Sequence, residues 1–216
     1  MLVNSEQIIE ALIETIQMVA FSLLFSTIIG LPLGVLLVVT RKGHLLEQTV
    51  VFTILNGIIN ILRSIPFIIL MVAIIPITRA IVNTSIGTAA AVVPLVFYAA
   101  PYIARLVENS LLEVDKGVLE AAEAMGATPV QTIFRFLIPE ALSSLVLAFT
   151  IATIGLVGAS AMAGAVGGGG IGDLAITYGY QRFDTITMLI TVAILVVLVQ
   201  GLQSLGNISS KKIRRR

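Results

Sequence analysis

The sequence contains no cysteine and only one histidine, His44. A chain without cysteine forms no disulfide, holds no thiolate-bound metal and has no cysteine nucleophile. The isolated histidine does not make a metal cluster or a catalytic triad. The phosphate-binding pattern G-x-x-x-x-G-K-[ST] is also missing, because no glycine precedes a lysine. The chain is therefore not a P-loop ATPase, and we expect it to have no enzymatic activity and no metal or cofactor of its own.

Charged residues are scarce as well. They make up 12% of the 216 residues, whereas hydrophobic residues make up 57%. Ordinary soluble domains have about 25% charged and about 45–50% apolar residues. This imbalance indicates one domain that lies in a lipid bilayer. Nucleic-acid binding needs a folded basic domain, which the sequence does not show, so we expect no nucleic-acid partner.

Long apolar runs predict where the chain crosses the membrane. A helix that crosses about 30 Å of hydrocarbon needs about 20 mostly apolar residues. The sequence therefore predicts an all-α membrane protein with five transmembrane helices, at about residues 15–40, 57–78, 80–104, 145–168 and 185–207. The alternative is four spans, with residues 48–62 as an interfacial helix, because Arg63 interrupts the second run. A charge inside lipid costs about 2.5–3.5 kcal/mol, although an arginine near the surface can extend to the interface.

The basic residues predict the orientation, because cytoplasmic loops retain lysine and arginine. They cluster after the first span, between the third and fourth spans and at the end of the chain: Arg41, Lys42, Arg105, Lys116, Arg135, Lys211, Lys212, Arg214, Arg215 and Arg216. The N-terminal segment 1–14 has acids but no basic residue. We therefore expect segment 1–14 outside and the basic tail 206–216 in the cytoplasm. The acidic start also favours a retained first span over a cleaved signal.

Two glycines in the first span form a G-x-x-x-G pair, Gly30 and Gly34, with Pro32 between them. The glycine spacing favours the close approach of a second helix. A proline inside a helix favours a kink. The sequence leaves both alternatives open.

The longest polar segment, residues 105–140, lies between the third and fourth spans. Helix-forming residues from 118 to 125 precede Gly126, where a left-handed C-cap is expected. Thr128, Pro129 and Gln131 then have the order of an N-cap, a first helical residue and a capping-box partner. The segment is predicted to form two short helices joined by a tight turn at the cytoplasmic surface. By local physics alone, an ordinary surface hairpin is the simpler interpretation.

The hairpin also carries a longer pattern, which consists of Glu120-Ala121-Ala122, then Gly126 and, after nine intervening residues, Phe136-Leu137-Ile138-Pro139. This spacing resembles the E-A-A-x-x-x-G-x9-I-x-L-P signature of ABC importer permeases, with two apolar replacements at Phe136 and Ile138. The resemblance implies a coupling helix that docks in a groove of an ATPase subunit, with Glu120, Ala121, Ala122 and Gly126 as coupling residues. The small alanines are expected to let the partner approach closely, and Glu120 offers it an acid.

Further segments resemble the permease subunit of methionine importers, namely Arg63 to Phe67, Thr84 to Gly87, Ala104 to Val114 and Gly164 to Tyr180. The resemblance implies a type I ABC importer fold over residues 15–205 and transport of D- or L-methionine by alternating access across the bacterial cytoplasmic membrane. It also implies partners: a second copy of this chain, two ABC ATPase subunits that bind ATP and Mg, and an extracytoplasmic methionine-binding lipoprotein. The alternative substrate is another small amino acid or related solute.

Candidate gate residues lie in the fourth span, where Ser160 and Met162 stand among small residues from 155 to 164. Small residues allow close helix packing, and a flexible thioether is suited to closing a narrow passage. Met162 and Ser160 are therefore candidate translocation-gate residues. The alternative is a methionine that packs or faces lipid.

The segment before the last span contains a glycine run and two acids. Gly167, Gly169 and Gly172 satisfy G-x-G-x-x-G, but this dinucleotide pattern has meaning only after a strand in a βαβ unit. A simpler interpretation is that the run ends a membrane helix near the outer face. Asp173 and Asp184 either contact a binding protein or are ordinary solvated acids.

Two other classes of function compete with an ABC permease. An ion-coupled secondary transporter or channel is expected to have ionisable residues near the middle of its spans. Apart from Arg63, the predicted spans contain none. A membrane scaffold without transport has no need of a structured coupling loop. We therefore expect an ABC permease.

Overall fold

The structure is a computed structural model that describes residues 2–214. Regular structure in this part of the chain is entirely helical. The α-helices are, in chain order, α1 (Ser5–Thr40), α2 (Thr49–Ser64), α3 (Phe67–Ala73), α4 (Ile75–Val82), α5 (Thr88–Leu112), α6 (Lys116–Ala124), α7 (Pro129–Thr132), α8 (Ile138–Glu140), α9 (Leu142–Gly164), α10 (Gly170–Leu174) and α11 (Thr185–Arg214). Two π-helical turns, Ile133–Leu137 and Ala175–Gln181, follow α7 and α10.

Within residues 2–214, four helices are long and apolar enough to cross a bilayer, namely α1, α5, α9 and α11. The pair α2 and α3 makes a fifth candidate, but it is bent by 100°. The break lies at Ile65 and Pro66, where Ile65 is extended. A proline disfavours the helical conformation of the residue before it. The predicted second span, 57–78, is therefore divided among α2, α3 and α4.

The observed helix limits differ from the predicted ones at several points. Helix α1 begins at Ser5, because Asn4 and Gln7 form a capping box, so most of segment 1–14 is the first part of α1. Helix α5 begins and ends eight residues later than the predicted span 80–104. The positive φ of 93° at Gly87 starts α5 there. Helix α11 continues through most of the basic tail, of which Arg215 and Arg216 lie outside the described residues.

The shift of α5 brings two ionisable residues into a membrane helix. Arg105 and Glu108 belong to α5, and Glu108 is only 1% exposed. Both residues lie beyond residue 104, where the predicted span ends, in the last two turns of α5. Glu108 lies four residues before the end of α5 at Leu112, or about 6 Å at the helical rise. It is thus near one end of the span and not near its middle.

The connections between the helices lie at two opposite ends of the molecule. We call one the hairpin end; there the first residues of α9 meet the last residues of α11, and the Ser143 and Ser210 hydroxyls are 2.8 Å apart. The other is the glycine-run end, which contains the start of α1 and residues 165–184. Which end faces the cytoplasm stays a prediction from the basic residues.

Helix α1 packs most extensively against α5. A Cβ added at Gly30 would lie 2.6 Å from the Ala100 carbonyl oxygen, and one at Gly34 would lie 2.6 Å from the Ala104 carbonyl oxygen. Helix α1 runs without interruption through Pro32. Of the two alternatives for this glycine pair, the structure shows the close contact.

Backbone N–H groups of the glycine run bind to α1 at the glycine-run end. The Gly170 N–H donates to the Glu14 carboxylate at 2.7 Å, and the Ile171 N–H donates to the Thr15 hydroxyl at 2.9 Å. Gly169 and Gly170 have φ of 80°, which favours glycine. The run therefore ends α9 and turns the chain back against α1.

Asp184 joins the N-terminal segment to the start of α11. Its carboxylate accepts hydrogen bonds from the Leu2 N–H and from the Thr187 hydroxyl and N–H. The Leu2 N–H, followed by the Thr187 hydroxyl, lowers the pKa of Asp184 from 3.8 to about 2. Both bonds favour the charged carboxylate, so the attachment is complete above pH 3.8 and is lost as the pH falls through about 2.

We predict that G30A and G34A destabilise the protein, because each added methyl group overlaps the α5 backbone. Overpacking of this kind costs about 1–3 kcal/mol. The free energy of unfolding is measured by SDS titration followed by circular dichroism. The matched control is G201A in α11, where an added Cβ has no neighbour within 4 Å. Equal effects of G30A and G201A would contradict the packing role.

We predict that D184N releases the N-terminal segment while it leaves α11 capped, because asparagine keeps one oxygen for the Thr187 N–H. The chain has no native cysteine, so a nitroxide on S5C reports this segment alone. The electron paramagnetic resonance spectrum should show a nitroxide with restricted motion in the parent protein above pH 3.8 and one with faster motion in D184N. D173N serves as the control and should change nothing.

Candidate functional site

The first leg of the hairpin is α6, and local hydrogen bonds define both of its ends. The Asp115 carboxylate caps the start by accepting from the Gly117 N–H at 2.7 Å. At the other end Gly126 has a φ of 75°, and the Ala127 N–H donates to the Ala122 carbonyl oxygen at 3.0 Å. The predicted left-handed cap at Gly126 is confirmed.

The second leg begins with the predicted capping box. The Thr128 N–H donates to the Gln131 side chain at 2.9 Å, and the Gln131 N–H donates to the Thr128 hydroxyl at 3.4 Å. Pro129 occupies the first turn of α7. The chain then passes through the π-helical turn Ile133–Leu137, which precedes Pro139. A proline cannot donate to the helix and crowds the preceding turn, which accounts for the widened turn at this point.

Apolar contacts fix the hairpin to the ends of two membrane helices. Leu119 of α6 packs into a cluster that includes Leu111 of α5, Leu137 of the π-helical turn and Leu145 of α9. Packed protein interiors transmit displacement because they have few voids. The hairpin is therefore a stiff connection between α5 and α9.

The structure separates the four predicted coupling residues. Glu120, Ala121 and Gly126 are exposed, whereas Ala122 is fully buried within the chain. Helix α6 packs against α7 and the π-helical turn, and a small side chain at 122 permits this. Of the two alanines, only Ala121 is at the surface, and the approach of a partner to it stays a prediction.

Three large apolar side chains are exposed on the hairpin, and we call them the hairpin patch. They are Met125 at 68%, Val130 at 62% and Phe134 at 67% exposure. Val130 and Phe134 are four residues apart, so they lie on the same side of the second leg. Sequence reasoning missed this patch, although large apolar residues at this spacing in a polar segment were the available signal. Grouped exposed apolar side chains mark interaction sites.

His44 lies in the loop after α1 at the hairpin end. Partial burial, followed by the positive charges of Arg41 and Lys116, lowers the pKa of His44 below its usual value of 6.5. The side chain is therefore neutral at pH 7. Lys116 is the first residue of α6, so this loop lies beside the base of the hairpin.

The two candidate gate residues point in different directions. Met162 is 54% exposed on α9, whereas Ser160 is 1% exposed and its hydroxyl donates to the Val157 carbonyl oxygen at 2.8 Å. Residues two apart on a helix do not share a face. Of the two candidates, only Met162 lies on the surface of the described chain.

The glycine-run end contains a cavity of about 200 Å³. The residues that line it come from α3, α4, α5, α9 and the glycine run, among them Met71, Thr78, Pro94, Ala163 and Gly168. Asp173 and Asp184 do not line it, and both accept hydrogen bonds within the chain. Within residues 2–214, no group of three His, Asp or Glu side chains has the arrangement of a metal site.

Comparison with known proteins places this geometry in a family. The family model described as "Binding-protein-dependent transport system inner membrane component" matches residues 30–215. That range contains the hairpin, the glycine run and four of the five candidate spans in full.

Named relatives cover the chain over most of its length. The probable D-methionine transport system permease protein MetI of Vibrio cholerae is 49% identical over 99% of this chain and 95% of its own length. The D-methionine transport system permease protein MetI of Escherichia coli K12 is 56% identical over 70% of each chain.

A solved structure matches the fold closely. A chain of the MetNI methionine ABC transporter, in an inward-facing crystal form, superposes with a TM-score of 0.95 and 47% identity, covering 98% of this chain and 99% of that one. The matching fold, the hairpin and the relatives agree. The chain therefore belongs to the family of binding-protein-dependent transport system inner membrane components and is a multi-pass inner-membrane protein.

Proposed function

We propose that this chain is the permease subunit of an ATP-driven importer that moves methionine across the cytoplasmic membrane by alternating access. The substrate assignment is supported by relatives that carry methionine in their names and match this chain over nearly its full length. Another small amino acid or related solute is the alternative substrate. The resemblance does not distinguish D-methionine from L-methionine.

The hairpin patch is the observation that carries the proposed mechanism. Met125, Val130 and Phe134 are exposed beside Glu120 and Ala121. An apolar group of this kind, with an acid at its edge, suits the groove of a protein partner. Because the hairpin is packed against α5 and α9, a partner that displaces the patch also displaces these membrane helices.

The proposed partners are those that the resemblance to methionine importers implies. Two ABC ATPase subunits bind ATP and Mg and dock on the hairpins, and the absence of a phosphate-binding loop in this chain is consistent with this division. A second copy of the chain completes the passage. Methionine arrives from an extracytoplasmic methionine-binding lipoprotein at the glycine-run end.

Transport then follows from the geometry of the hairpin and the spans. When the ATPase subunits close on ATP, the two hairpins approach each other and the helices open the passage outward. After ATP is hydrolysed, the passage opens toward the cytoplasm and releases methionine. Met162, on the exposed face of α9, is the candidate gate.

We predict that proteoliposomes containing this chain, its ATPase and its binding protein take up labelled methionine only with ATP inside. A protonophore should leave the initial rate unchanged, because no ion gradient drives the step. Competition by unlabelled D-methionine, L-methionine and other amino acids measures the substrate preference. Uptake that persists without the ATPase, or that a protonophore abolishes, would favour a secondary transporter.

We predict that F134A weakens binding of the ATPase subunit, because it removes a large exposed side chain from the hairpin patch. Anchor residues of an interface contribute about 1–2 kcal/mol or more, which corresponds to about five- to thirtyfold in affinity. Biolayer interferometry in detergent measures the dissociation constant. The matched control is L189A, which truncates a similarly exposed side chain on α11. Equal affinities for F134A and L189A would show that the patch does not dock the ATPase.

A further inference from the structure

A polar cluster built around the buried Glu108 carboxylate connects three helices at the hairpin end. Its members come from the end of α1, from α2 and from α5, and we call it the Glu108 cluster: Arg41, Asn56, Asn60, Arg105 and Glu108. None of these residues belongs to the hairpin patch, the gate or the cavity.

Arg105 is the centre of the bonds to α2. Its guanidinium pairs with the Glu108 carboxylate one turn later on α5. The same guanidinium donates to the Asn56 side-chain oxygen at 2.7 Å and to the Asn60 side-chain oxygen at 2.8 Å. Asn56 and Asn60 are four residues apart, so they present both oxygens on one face of α2.

Arg41 adds the end of α1 to the cluster. It caps the C-terminus of α1, and its guanidinium lies 3.6 Å from the second Glu108 oxygen. The same guanidinium lies over the Phe52 ring of α2 at 5.8 Å. The Glu108 carboxylate thus pairs with Arg105 through one oxygen and lies near Arg41, the residue after α1, through the other, which has no hydrogen bond among the described residues.

Apolar contacts and polar bonds together attach α2 to the bundle. Ile59 is the single buried residue of α2 in the described structure, and it packs with Leu37 of α1 and Ala104 of α5. Phe52 and Leu55 of α2 are partly buried against the same apolar cluster. The bonds from Arg105 to Asn56 and Asn60 add direction to this apolar contact.

Stability does not by itself account for an ion pair whose carboxylate is buried, as that of Glu108 is. Well-packed apolar residues of similar volume are often as stable as a buried pair. Ionisable residues inside membrane helices are costly and usually functional. Polar contacts do favour one orientation and one register of two helices. Apolar packing distinguishes less strongly between alternative registers.

The chain links the cluster both to the hairpin and to the wall of the cavity. From the α5 side of the cluster, the chain continues to Leu112 and leads into α6. From the α2 side, the chain continues to Ser64 and through the bend into α3, where Met71 and Val72 line the cavity. A displacement of the hairpin can reach α3 through this cluster.

We propose that the Glu108 cluster fixes α2 to α5, so that movement of the hairpin is passed to α3 and the cavity wall. Arg105 and Glu108 are positioning residues for transport, and Asn56 and Asn60 are their contacts on α2. This inference rests on the proposed function, because it assigns a path for the force that the ATPase subunits apply.

The test compares uptake with ATP hydrolysis in the complete reconstituted complex. The double variant N56L/N60L keeps side-chain size but removes both oxygens that Arg105 uses, and the ion pair within α5 stays intact. We expect ATP hydrolysis and assembly to be retained, while methionine taken up per ATP falls about fivefold or more, as for couplings between distant sites. T53L, another leucine substitution on α2 at an exposed residue, is the control and should leave this ratio unchanged.

E108Q provides a second variant, because it removes the charge with almost no change of shape. It should lower uptake per ATP in the same direction, whereas E108D, which keeps the carboxylate, should restore part of the ratio. An unchanged ratio in both N56L/N60L and E108Q would overturn the proposal. A parallel fall in hydrolysis, uptake and assembly would also overturn it, since this is the result of a purely structural role.

A distance measurement tests the path directly. A nitroxide on I69C, an exposed residue of α3, gives one distance between the two copies in double electron–electron resonance. This distance should change on ATP binding in the parent complex and should stay constant in N56L/N60L. If the parent complex shows no ATP-driven uptake, the proposed function fails. If it does and the label moves equally in both complexes, only the path through the Glu108 cluster fails.

Discussion

The close contact between the α1 and α5 backbones is the constraint on which the rest of the structure depends. In lipid there is no hydrophobic drive between helices, so van der Waals packing at small residues has to hold them together. Gly30 and Gly34 bring α1 against the carbonyl oxygens of Ala100 and Ala104. Helix α5 in turn contacts α2, α3, α4 and α9. Its position therefore determines where both the hairpin and the cavity wall lie.

Polar groups at the two ends of the molecule find their partners in different ways. At the glycine-run end, irregular backbone turns inward, and Glu14 and Thr15 of α1 accept its N–H groups. Irregular backbone is tolerated at membrane depth only where such partners exist. At the hairpin end, Arg105 and Glu108 pair with each other and with α1 and α2. Both solutions use side chains that are far apart in sequence.

The hairpin combines an internal and an external role in nine residues of α6. Leu119 and Ala122 face inward and hold α6 against the membrane helices, whereas Glu120 and Ala121 face outward. The same short pattern thus makes the connection stiff and leaves a surface for a partner. The Glu108 cluster extends this connection to α2 through the bonds from Arg105 to Asn56 and Asn60.

The sequence by itself determined what depends on neighbouring residues. Apolar runs predicted the all-helical fold, and the caps at Gly126 and Thr128 predicted the hairpin, because these signals act within a few residues. Only the tertiary structure decided which side chains are buried. It enclosed Ala122 and Ser160, extended α5 to Leu112 so that the helix contains a buried Glu108, and joined Arg105 to Asn56 across 49 residues. Hydropathy measures the polarity of a segment, but the partners that make a buried charge acceptable come from other helices.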